Sequence, residues 1–472
     1  MSKIILVWAW WTGMSGIAGI FNDLWYTNIV CIDATKSELT DKLEAKGLKV
    51  IIGHGKYKVQ LWDVIIYSEA TSECEEVLEA RKIMKANKKV MVILNYFQFL
   101  WEVSKYFITI GFAWTNGKSS STALAIHTAK KIVPNFGLGI LGALVPWFKT
   151  QSYTINSKAI KDIKTIFGYI CTGKWFSSIG DQQSSIIKKR IFFVEACEYK
   201  RHFLYLDLDY AIITSLELDH TDYYKNMKDY ISAYETLVSK VKNKVFIPKW
   251  LKVHSTLFDR LIDSSQIKKV PIKTIPFKHI RGKHNDVNAS LIMALITKIS
   301  KEPKTKILST MSSFWWLRRR MEYLTTNKNG AKIFTDYGHM ASSIDFGYMA
   351  LKNKFPGKKL YVIFQPHQIN RILTGRKDFV KTLKKYDNIQ IYDIYAAREN
   401  MDEIMEHHKF LKDINIKTLD DLGTEFAHAC GGTYTTNFSV ITKIIEETAK
   451  DSIIVIYSAG DIDYKLRNFL WK

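Results

Sequence analysis

Short runs of apolar residues alternate with longer amphipathic stretches through the first hundred residues of the chain. The apolar runs predict strands at 4–7, 29–32, 49–52, 64–67 and 90–94, and the stretch at 75–86 has the spacing of a helix. Strands that alternate with helices build parallel sheets with crossover helices. Residues 1–105 are therefore predicted to form a Rossmann-like α/β domain.

The same alternation continues to the C-terminus. Strands are predicted at 106–110, 192–195 and 210–214, then at 332–335, 360–364, 389–394 and 453–457. Helices are predicted at 119–130, 290–299, 342–352 and 378–385. We expect an α/β protein of three domains, each a mostly parallel sheet flanked by helices: 1–105, 106–318 and a Rossmann-like domain at 319–472. The segment GFAWTNGKSSST at 111–122 has the residues of a phosphate loop, so 106–318 is predicted to be a central P-loop ATPase domain.

The strand at 106–110 and the helix at 119–130 are joined by a turn within GFAWTNGKSSST at 111–122. Strand, glycine-bearing turn and helix in this order form a phosphate loop, because the free amides at the helix start favour an anion. Lys118 is expected to reach the terminal phosphates of ATP or GTP, and the Ser119 hydroxyl to meet magnesium. The predicted nucleotide contacts are Thr115, Asn116, Gly117, Lys118, Ser119 and Ser120.

Tryptophan occupies positions where such loops need glycine. Trp114 stands where the turn requires positive φ and close approach of the backbone to phosphate. The segment VWAWWTGMSGIAG at 7–19 would be a dinucleotide-type glycine turn if its tryptophans were glycines. The misfit recurs in FWWLRRR at 314–320. The positions where glycine is expected are Trp8, Trp10, Trp11, Trp114, Trp315 and Trp316. Trp25 and Trp62 are further candidates for the same replacement.

We therefore hypothesise that many of the 13 tryptophans are glycines in the living protein, because some genetic codes translate UGA as tryptophan and others as glycine. Composition agrees with this hypothesis. The 24 glycines make up about 5% of 472 residues, against an average of roughly 7%, and replacing every tryptophan would give about 8%. The alternative is a degenerate chain with real tryptophans, which would make it a non-catalytic nucleotide-binding protein.

Charge and cysteine content narrow the class of protein. The formal net charge is +22, but the lysines are spread without a dense basic run, so we expect phosphorylated substrates and no nucleic acid. The five cysteines lie far apart and form no CxxC pair, which favours a reducing cytosol. The apolar run at 136–148 is too short to span a bilayer. We expect a cytoplasmic protein without membrane insertion, either a monomer or a homodimer.

Acidic residues follow several predicted strands. Glu195, Glu217, Asp219 and His220 lie at or just past strand ends, where an α/β sheet binds its ligands. Oxygen-rich groups with one imidazole suit magnesium or manganese better than zinc. Asp33 ends the second strand, about twenty residues after the first glycine turn, where an acidic side chain commonly meets a sugar hydroxyl. A solvent-exposed aspartate is the alternative for Asp33.

The segment GKHNDVNA at 282–289 precedes the helix predicted at 290–299. Two interpretations of its polar side chains stay open. His284, Asn285 and Asn288 either cap that helix or reach a nucleotide base.

These motifs together resemble the Mur ligases of peptidoglycan synthesis, over nearly the whole chain and in the same order. The matching pieces are GMSG at 13–16, TNGKSSS at 115–121, EACEYKRHFL at 195–204, LDH at 218–220, HNDVNA at 284–289, RRM at 319–321, TDYGHM at 335–340, FQPHQINR at 364–371, YAAREN at 395–400 and AGDI at 459–462. EACEYKRHFL resembles the branch that adds alanine. Met340 and Ser458 depart from the family pattern, which shows histidine and glycine there.

The resemblance implies an ATP-dependent ligase that joins L-alanine to the lactyl carboxylate of UDP-N-acetylmuramate through an acyl phosphate. It also implies that the first domain binds the UDP sugar, the second ATP with Mg²⁺ or Mn²⁺, and the third the amino acid. The rivals are a ligase that recycles murein peptides and a folate-type polyglutamate ligase, although folate ligases lack the N-terminal glycine turn.

Individual roles follow from the same resemblance. It assigns Gly13, Met14 and Ser15 to the sugar nucleotide. Lys118 and either Ser119 or Ser120 are assigned to phosphate and magnesium, Glu195 and His220 to the metals, and Asn285 and Asn288 to the adenine side. Arg320 is assigned to the charge on the transferred phosphoryl group, and His339, His367 and Arg371 to the amino acid and the muramyl carboxylate. His339 is also our candidate for the base that accepts the proton of the amine.

Overall fold

The alternating pattern forms three sheets in the computed structural model. The structure describes residues 3–8, 12–87, 91–113, 117–145, 152–173, 189–220, 223–251, 266–277, 283–315, 317–396, 399–407 and 416–471. Two compact units divide the chain, Met1–Trp315 and Trp316–Lys472. The first unit contains two of the sheets, and the second unit contains the third.

The first sheet has five parallel strands in the order β3-β2-β1-β4-β5. Its strands are β1 Ile4–Trp8, β2 Ile29–Asp33, β3 Lys49–Ile52, β4 Val64–Tyr67 and β5 Val92–Asn95. Its helices are α1 Thr12–Asp23, α2 Glu38–Ala45, α3 Glu75–Ala86 and α4 Tyr96–Ser104, with a 3₁₀ turn at Glu69–Thr71. The strand order reverses between β1 and β4, which is where such sheets bind ligands at their carboxyl edge.

The second sheet has seven strands in the order β12-β11-β10-β6-β9-β7-β8, and only β8 runs antiparallel to its neighbour. Its strands are β6 Ile108–Phe112, β7 Phe136–Ile140, β8 Tyr153–Ile155, β9 Ile191–Glu195, β10 Tyr210–Ile212, β11 Lys244–Pro248 and β12 Ile267–Val270. Its helices are α5 Lys118–Ile132, α6 Ile160–Cys171, α7 Met227–Lys240, α8 Lys283–Ser300 and α9 Lys304–Ser312, with 3₁₀ turns at Ser157–Ala159 and Tyr199–Tyr205. Strands β6 and β9 are central neighbours, so their carboxyl ends define one edge.

The second unit contains a six-stranded sheet in the order β13-β14-β18-β15-β16-β17, in which β13 is antiparallel. Its strands are β13 Glu322–Thr326, β14 Lys332–Asp336, β15 Lys359–Gln365, β16 Asn388–Tyr392, β17 Thr433–Thr435 and β18 Ser452–Ser458. Its helices are α10 Ala341–Lys354, α11 Ile369–Leu383, α12 Met401–His407, α13 Leu419–Cys430, α14 Phe438–Glu447 and α15 Ile462–Leu470.

The expected fold class is confirmed: three mostly parallel sheets are flanked by helices. Several predicted bounds are wrong. Helix α8 begins at Lys283 rather than at 290, helix α11 begins at Ile369 rather than at 378, and β6 runs from Ile108 to Phe112 rather than over 106–110. The first turns of α8 and α11 are polar, so apolar periodicity could not show that they are helical. Domain bounds at 105 and 318 stay a prediction.

Helix α1 packs closely against the second sheet, and two of its glycines permit this approach. A Cβ on Gly19 would lie 2.5 Å from the Tyr153 ring, and one on Gly16 would lie 3.1 Å from Ser152 Oγ. The Tyr153 hydroxyl also donates to Asp23 Oδ2 at 2.7 Å. These contacts explain why GMSGIAG keeps glycine on this face.

Two tryptophans occupy backbone positions that favour glycine. Trp25 has φ of 59° and Trp62 has φ of 78°, and their side chains are exposed. Trp25 follows α1, where its amide donates to the Asn22 carbonyl and the Tyr26 amide donates to the Phe21 carbonyl. This pair of bonds is a Schellman motif, which usually has glycine at the position of Trp25. Both positions therefore support the hypothesis of glycine at tryptophan codons.

Among the residues described, the structure has no helix that is both long and apolar enough to cross a bilayer.

The side chain of His127 on α5 is buried against α9. Its Nε2 lies 3.2 Å from the Thr310 carbonyl and 3.0 Å from Ser313 Oγ. Burial, with a smaller contribution from Lys131, lowers the pKa of His127 to about 4. The unfolded chain therefore binds one more proton than the folded chain between that pH and about 6.5.

The free energy of unfolding should consequently fall as pH drops from about 6.5 to 4, and His127 should account for up to about 3 kcal/mol of this loss. Urea denaturation at several pH values will measure it. His127→Gln, which keeps a donor, should lose less stability over this range than the parent. His428→Gln, at an exposed histidine on α13, should behave like the parent. Equal pH slopes for parent and His127→Gln would contradict the prediction.

Candidate active site

The N-terminus of α5 lies at the carboxyl edge of the second sheet. Gly117 precedes the helix with φ of 95°, a conformation that glycine adopts without strain. Lys118, the first residue of the helix, donates to both carboxylate oxygens of Glu198, at 2.8 and 2.7 Å. The Glu198 side chain is fully buried. The cation and carboxylate thus form a buried, bidentate ion pair.

Opposing effects act on the protonation of Lys118. Burial lowers the pKa of its ammonium, but the negative charge of Glu198, with smaller contributions from Cys197 and Asp219, outweighs burial and raises the pKa above its ordinary value. Lys118 is therefore a cation at neutral pH.

Ser119 and Glu195 form the second polar pair of this edge. The Ser119 hydroxyl donates to Glu195 Oε2 at 3.1 Å, and the Gly142 amide donates to Glu195 Oε1 at 2.7 Å. Glu195 is the last residue of β9 and pairs in register with Phe112 at the end of β6. A Cβ on Gly142 would lie 3.0 Å from the Glu195 carboxylate, so glycine permits this approach.

A third group of polar side chains lies just beyond β10. Glu198, Asp219 and His220 each offer one ligand atom, and these atoms lie within 4.8 Å of one another. His220 Nε2 is 3.7 Å from Glu198 Oε1 and 3.9 Å from Asp219 Oδ2. His220 has φ of 54°, a strained backbone conformation for a non-glycine residue of the kind that clusters at functional sites. Two carboxylates and one imidazole fit a hard divalent ion such as Mg²⁺ or Mn²⁺.

The structure brings most of the predicted nucleotide and metal residues to one edge, with a different pairing from the one expected. Ser119 contacts Glu195, whereas His220 groups with Asp219 and Glu198. Glu198 was not among the predicted site residues. It is the second glutamate of EACE, three residues after Glu195, and this spacing could have indicated a second carboxylate at the strand end.

Other predicted residues of the central site are distributed as follows. Ser120 lies in the first turn of α5, and Glu217 lies in the half-buried segment after β10. Thr115, Asn116, Trp114 and the side chain of His284 lie outside the described residues. Asn285 and Asn288 lie inside α8, so neither caps the helix in the way proposed for a start at 290, and Asn288 is buried. Their predicted role near the adenine stays a prediction.

The residues predicted to bind the sugar nucleotide surround the carboxyl ends of β1 and β2. Gly13, Met14 and Ser15 are buried at the start of α1, and the Ser15 hydroxyl donates to the Thr12 carbonyl at 2.8 Å. Asp33 is 1% exposed, so the alternative of a solvent-exposed aspartate is wrong. It pairs in register with Trp8, which ends β1.

Trp8 is fully buried, and its indole Nε1 has no hydrogen-bond partner among the described residues. A buried donor without an acceptor costs about 1–3 kcal/mol. Glycine at this position would remove that cost and leave space at the strand end. Trp10, Trp11 and Trp316 lie outside the described residues.

In the second unit, His339, His367 and Arg371 form one polar cluster. The His339 and His367 rings are 6.1 Å apart, and Arg371 Nη1 donates to His367 Nδ1 at 3.1 Å and to the His367 carbonyl at 3.0 Å. Because arginine only donates, His367 Nδ1 must be the acceptor and its proton lies on Nε2. His339 Nδ1 lies 3.1 Å from the Tyr337 carbonyl, which only accepts, so this nitrogen carries the proton.

Two arginines of the same unit lie beside Tyr337. The Arg320 guanidinium is 5.3 Å from the ring centroid and the Arg319 guanidinium is 4.7 Å from it. Arg319 also donates to the carbonyls of Ser458 and Gly460, which holds the turn after β18. Arg320 is half-buried, and its predicted role towards phosphate stays a prediction.

A helix that begins after a glycine at the carboxyl edge of a parallel sheet, with a lysine, a serine and several carboxylates there, defines an enzyme that binds a nucleoside triphosphate and a divalent metal. The central region, residues 115–290, matches the Mur ligase middle domain. This part of the chain is therefore a Mur ligase middle domain.

Similarity to individual proteins extends over the whole chain. The chain is 28% identical over 490 aligned residues to a UDP-N-acetylmuramate--L-alanine ligase of Clostridium botulinum (strain Hall). This alignment covers 96% of the chain and 94% of that protein. The solved UDP-N-acetylmuramate-alanine ligase of Thermotoga maritima matches with a TM-score of 0.71 and 18% identity, covering 100% of this chain and 98% of that one. A murein peptide ligase of Psychrobacter arcticus matches with a TM-score of 0.64 and 17% identity, covering 99% and 98%.

Proposed function

We propose that the chain is an ATP-dependent ligase that joins L-alanine to the lactyl carboxylate of UDP-N-acetylmuramate, releasing ADP and phosphate. The observation that carries the proposal is similarity over 96% of the chain to enzymes with this name, combined with the Lys118, Ser119, Glu195 and Glu198 cluster at a helix N-terminus. The proposed metal is Mg²⁺, with Mn²⁺ as a substitute.

The reaction needs activation because a carboxylate does not react with an amine in water. The lactyl carboxylate attacks the γ-phosphorus of ATP, the bond to ADP breaks, and an acyl phosphate forms. The alanine amine then attacks the acyl carbon and expels phosphate. Such phosphoryl transfer depends mainly on positioning and on stabilising negative charge.

Lys118 is the cation best placed to meet the terminal phosphates, since it begins α5 and is charged at neutral pH. ATP would compete with Glu198 for the Lys118 ammonium. Glu198, Asp219 and His220 would hold the divalent ion. A metal bound there would supply positive charge to the phosphates. Arg320 is proposed to add charge stabilisation during transfer, as the family resemblance implies.

The amine of alanine must be neutral to attack, so a base or a solvent path must accept its proton. His339 suits this role, because its protonated Nδ1 is bound to the Tyr337 carbonyl and its Nε2 therefore bears the lone pair. His367, protonated on Nε2, and Arg371 would donate to a carboxylate of the amino acid or of the muramyl group. Asp33 is proposed to accept from a sugar hydroxyl of UDP-N-acetylmuramate.

Phosphate release with ATP, Mg²⁺ and UDP-N-acetylmuramate will test the substrate. The protein used in this assay should carry glycine in place of Trp8, Trp10, Trp11, Trp114, Trp315 and Trp316. Alanine should support turnover at least about tenfold better than glycine, because one methyl group is worth about 1–3 kcal/mol in a fitted pocket. Turnover with the tripeptide L-alanyl-γ-D-glutamyl-meso-diaminopimelate instead of alanine would indicate a murein peptide ligase. Turnover with a folate and glutamate would indicate a polyglutamate ligase.

A further inference from the structure

A second cluster of ligand-type side chains lies at the first sheet, apart from α5 and β9. His54 follows β3, Cys74 is the residue before α3, and Glu76 lies in the first turn of α3. One nitrogen, one sulfur and one oxygen of these residues lie within 4.8 Å of one another. Gly53 and Gly55, with φ of 93° and 78°, form the tight turn that holds His54 there.

Two atoms that face each other in this cluster, His54 Nδ1 and Glu76 Oε2, lack hydrogen bonds, whereas the Cys74 sulfur contacts the Glu76 side chain and the amides of Glu76 and Val77. The Glu76 side chain is fully buried, and its Oε1 accepts from the Gly55 amide at 2.7 Å. Its Oε2 lies 3.6 Å from His54 Nδ1, which is too far for a hydrogen bond. Both atoms are buried without a hydrogen-bond partner among the residues described. A buried carboxylate oxygen and an imidazole nitrogen in this state cost free energy unless a cation lies between them.

We propose that His54, Cys74 and Glu76 bind one divalent transition-metal ion of the Zn²⁺ type. Thiolate and imidazole ligands favour zinc over magnesium, which prefers oxygen. Tetrahedral zinc separates its nitrogen and oxygen ligands by about 3.4 Å, close to the His54–Glu76 spacing. Ligand sulfur and nitrogen atoms on zinc lie about 3.6 Å apart, and the Cys74 sulfur lies within 4.8 Å of both other ligand atoms.

Such an ion has a route to the site and a structural effect. The His54 side chain is 24% exposed, so the cluster is open on the imidazole side, and three protein ligands leave a fourth position for water. The ion would join the turn after β3 to the start of α3. This site shares no residue with the Lys118 region, so the inference does not depend on the proposed ligase reaction.

Cobalt will report the ligands, because Co²⁺ substitutes for Zn²⁺ and a cobalt thiolate gives a charge-transfer absorption band. The full-length chain, stripped with a chelator, should bind one equivalent of Co²⁺ with this band. Cys74→Ser should abolish the band, and His54→Gln should weaken Co²⁺ affinity at least tenfold. Cys197→Ser is the matched control, because Cys197 lies beside the oxygen-rich Glu198 cluster and should leave the band unchanged.

Thermal unfolding with Zn²⁺ provides the second measurement. Zn²⁺ should raise the Tm of the parent and of Cys197→Ser by more than that of Cys74→Ser, in which only the Glu198 cluster can bind the ion, since an ion that binds only the folded state stabilises it. His54→Gln changes a partly exposed side chain and keeps the test valid if Cys74→Ser fails to fold. No thiolate band in the parent, or a band lost with Cys197 rather than with Cys74, would overturn the proposal and leave a simple His54–Glu76 ion pair.

Discussion

Trp114→Gly is expected to convert a chain that does not bind ATP into one that does. The phosphate-loop sequence needs a residue without a side chain at this position, because the backbone must adopt positive φ and come close to the phosphates. An indole would occupy the space of the anion. Isothermal titration with ATP and Mg²⁺ should show no binding by the protein with Trp114 and binding by Trp114→Gly. The expected difference in Kd is at least about 10³-fold for a micromolar site.

Two comparisons make the Trp114 result specific. Trp471→Gly, at an exposed position near the C-terminus, should leave ATP binding unchanged. The gene should carry UGA at Trp114 and also at Trp25 and Trp62, where positive φ favours glycine. Ordinary UGG codons at these positions, together with equal ATP binding by the parent and Trp114→Gly, would show that the tryptophans are real and that the loop tolerates them.

The second large effect is expected from Lys118→Ala in the protein with glycine at position 114. Loss of this cation should lower ADP release by at least about 10³-fold, because the charge that develops on the transferred phosphoryl group loses the cation proposed to stabilise it. The measurement is coupled ADP release at saturating UDP-N-acetylmuramate and alanine. Lys130→Ala, at an exposed position near the other end of α5, should retain full activity. Turnover that survives Lys118→Ala would disprove the phosphate-loop assignment.

Removing Lys118 also leaves the buried Glu198 without its cation, which costs about 3–5 kcal/mol of stability. Loss of activity must therefore be separated from loss of folding. The double variant Lys118→Gln with Glu198→Gln removes both charges and should recover much of the stability without recovering turnover. Recovery of both would mean that Lys118 supports the structure and not phosphoryl transfer.

The sequence by itself determined the alternation of strands and helices, and it predicted the phosphate loop and the resemblance to Mur ligases. These features are local: strand and helix follow from apolar periodicity, and the loop follows from a contiguous motif. The tryptophans at positions that favour glycine were also visible in local sequence. The left-handed φ of Trp25 and Trp62 supports the hypothesis of glycine at these two positions.

Only the tertiary structure decided which side chains meet. Lys118 and Glu198 are 80 residues apart, and their ion pair exists because parallel pairing of β6 with β9 brings the two carboxyl ends together. The grouping of His54 with Glu76 likewise depends on two segments that follow different strands: the turn after β3 and the start of α3 after β4. Sequence patterns report which residues share one element, whereas contacts between elements depend on strand order and register, which periodicity does not encode.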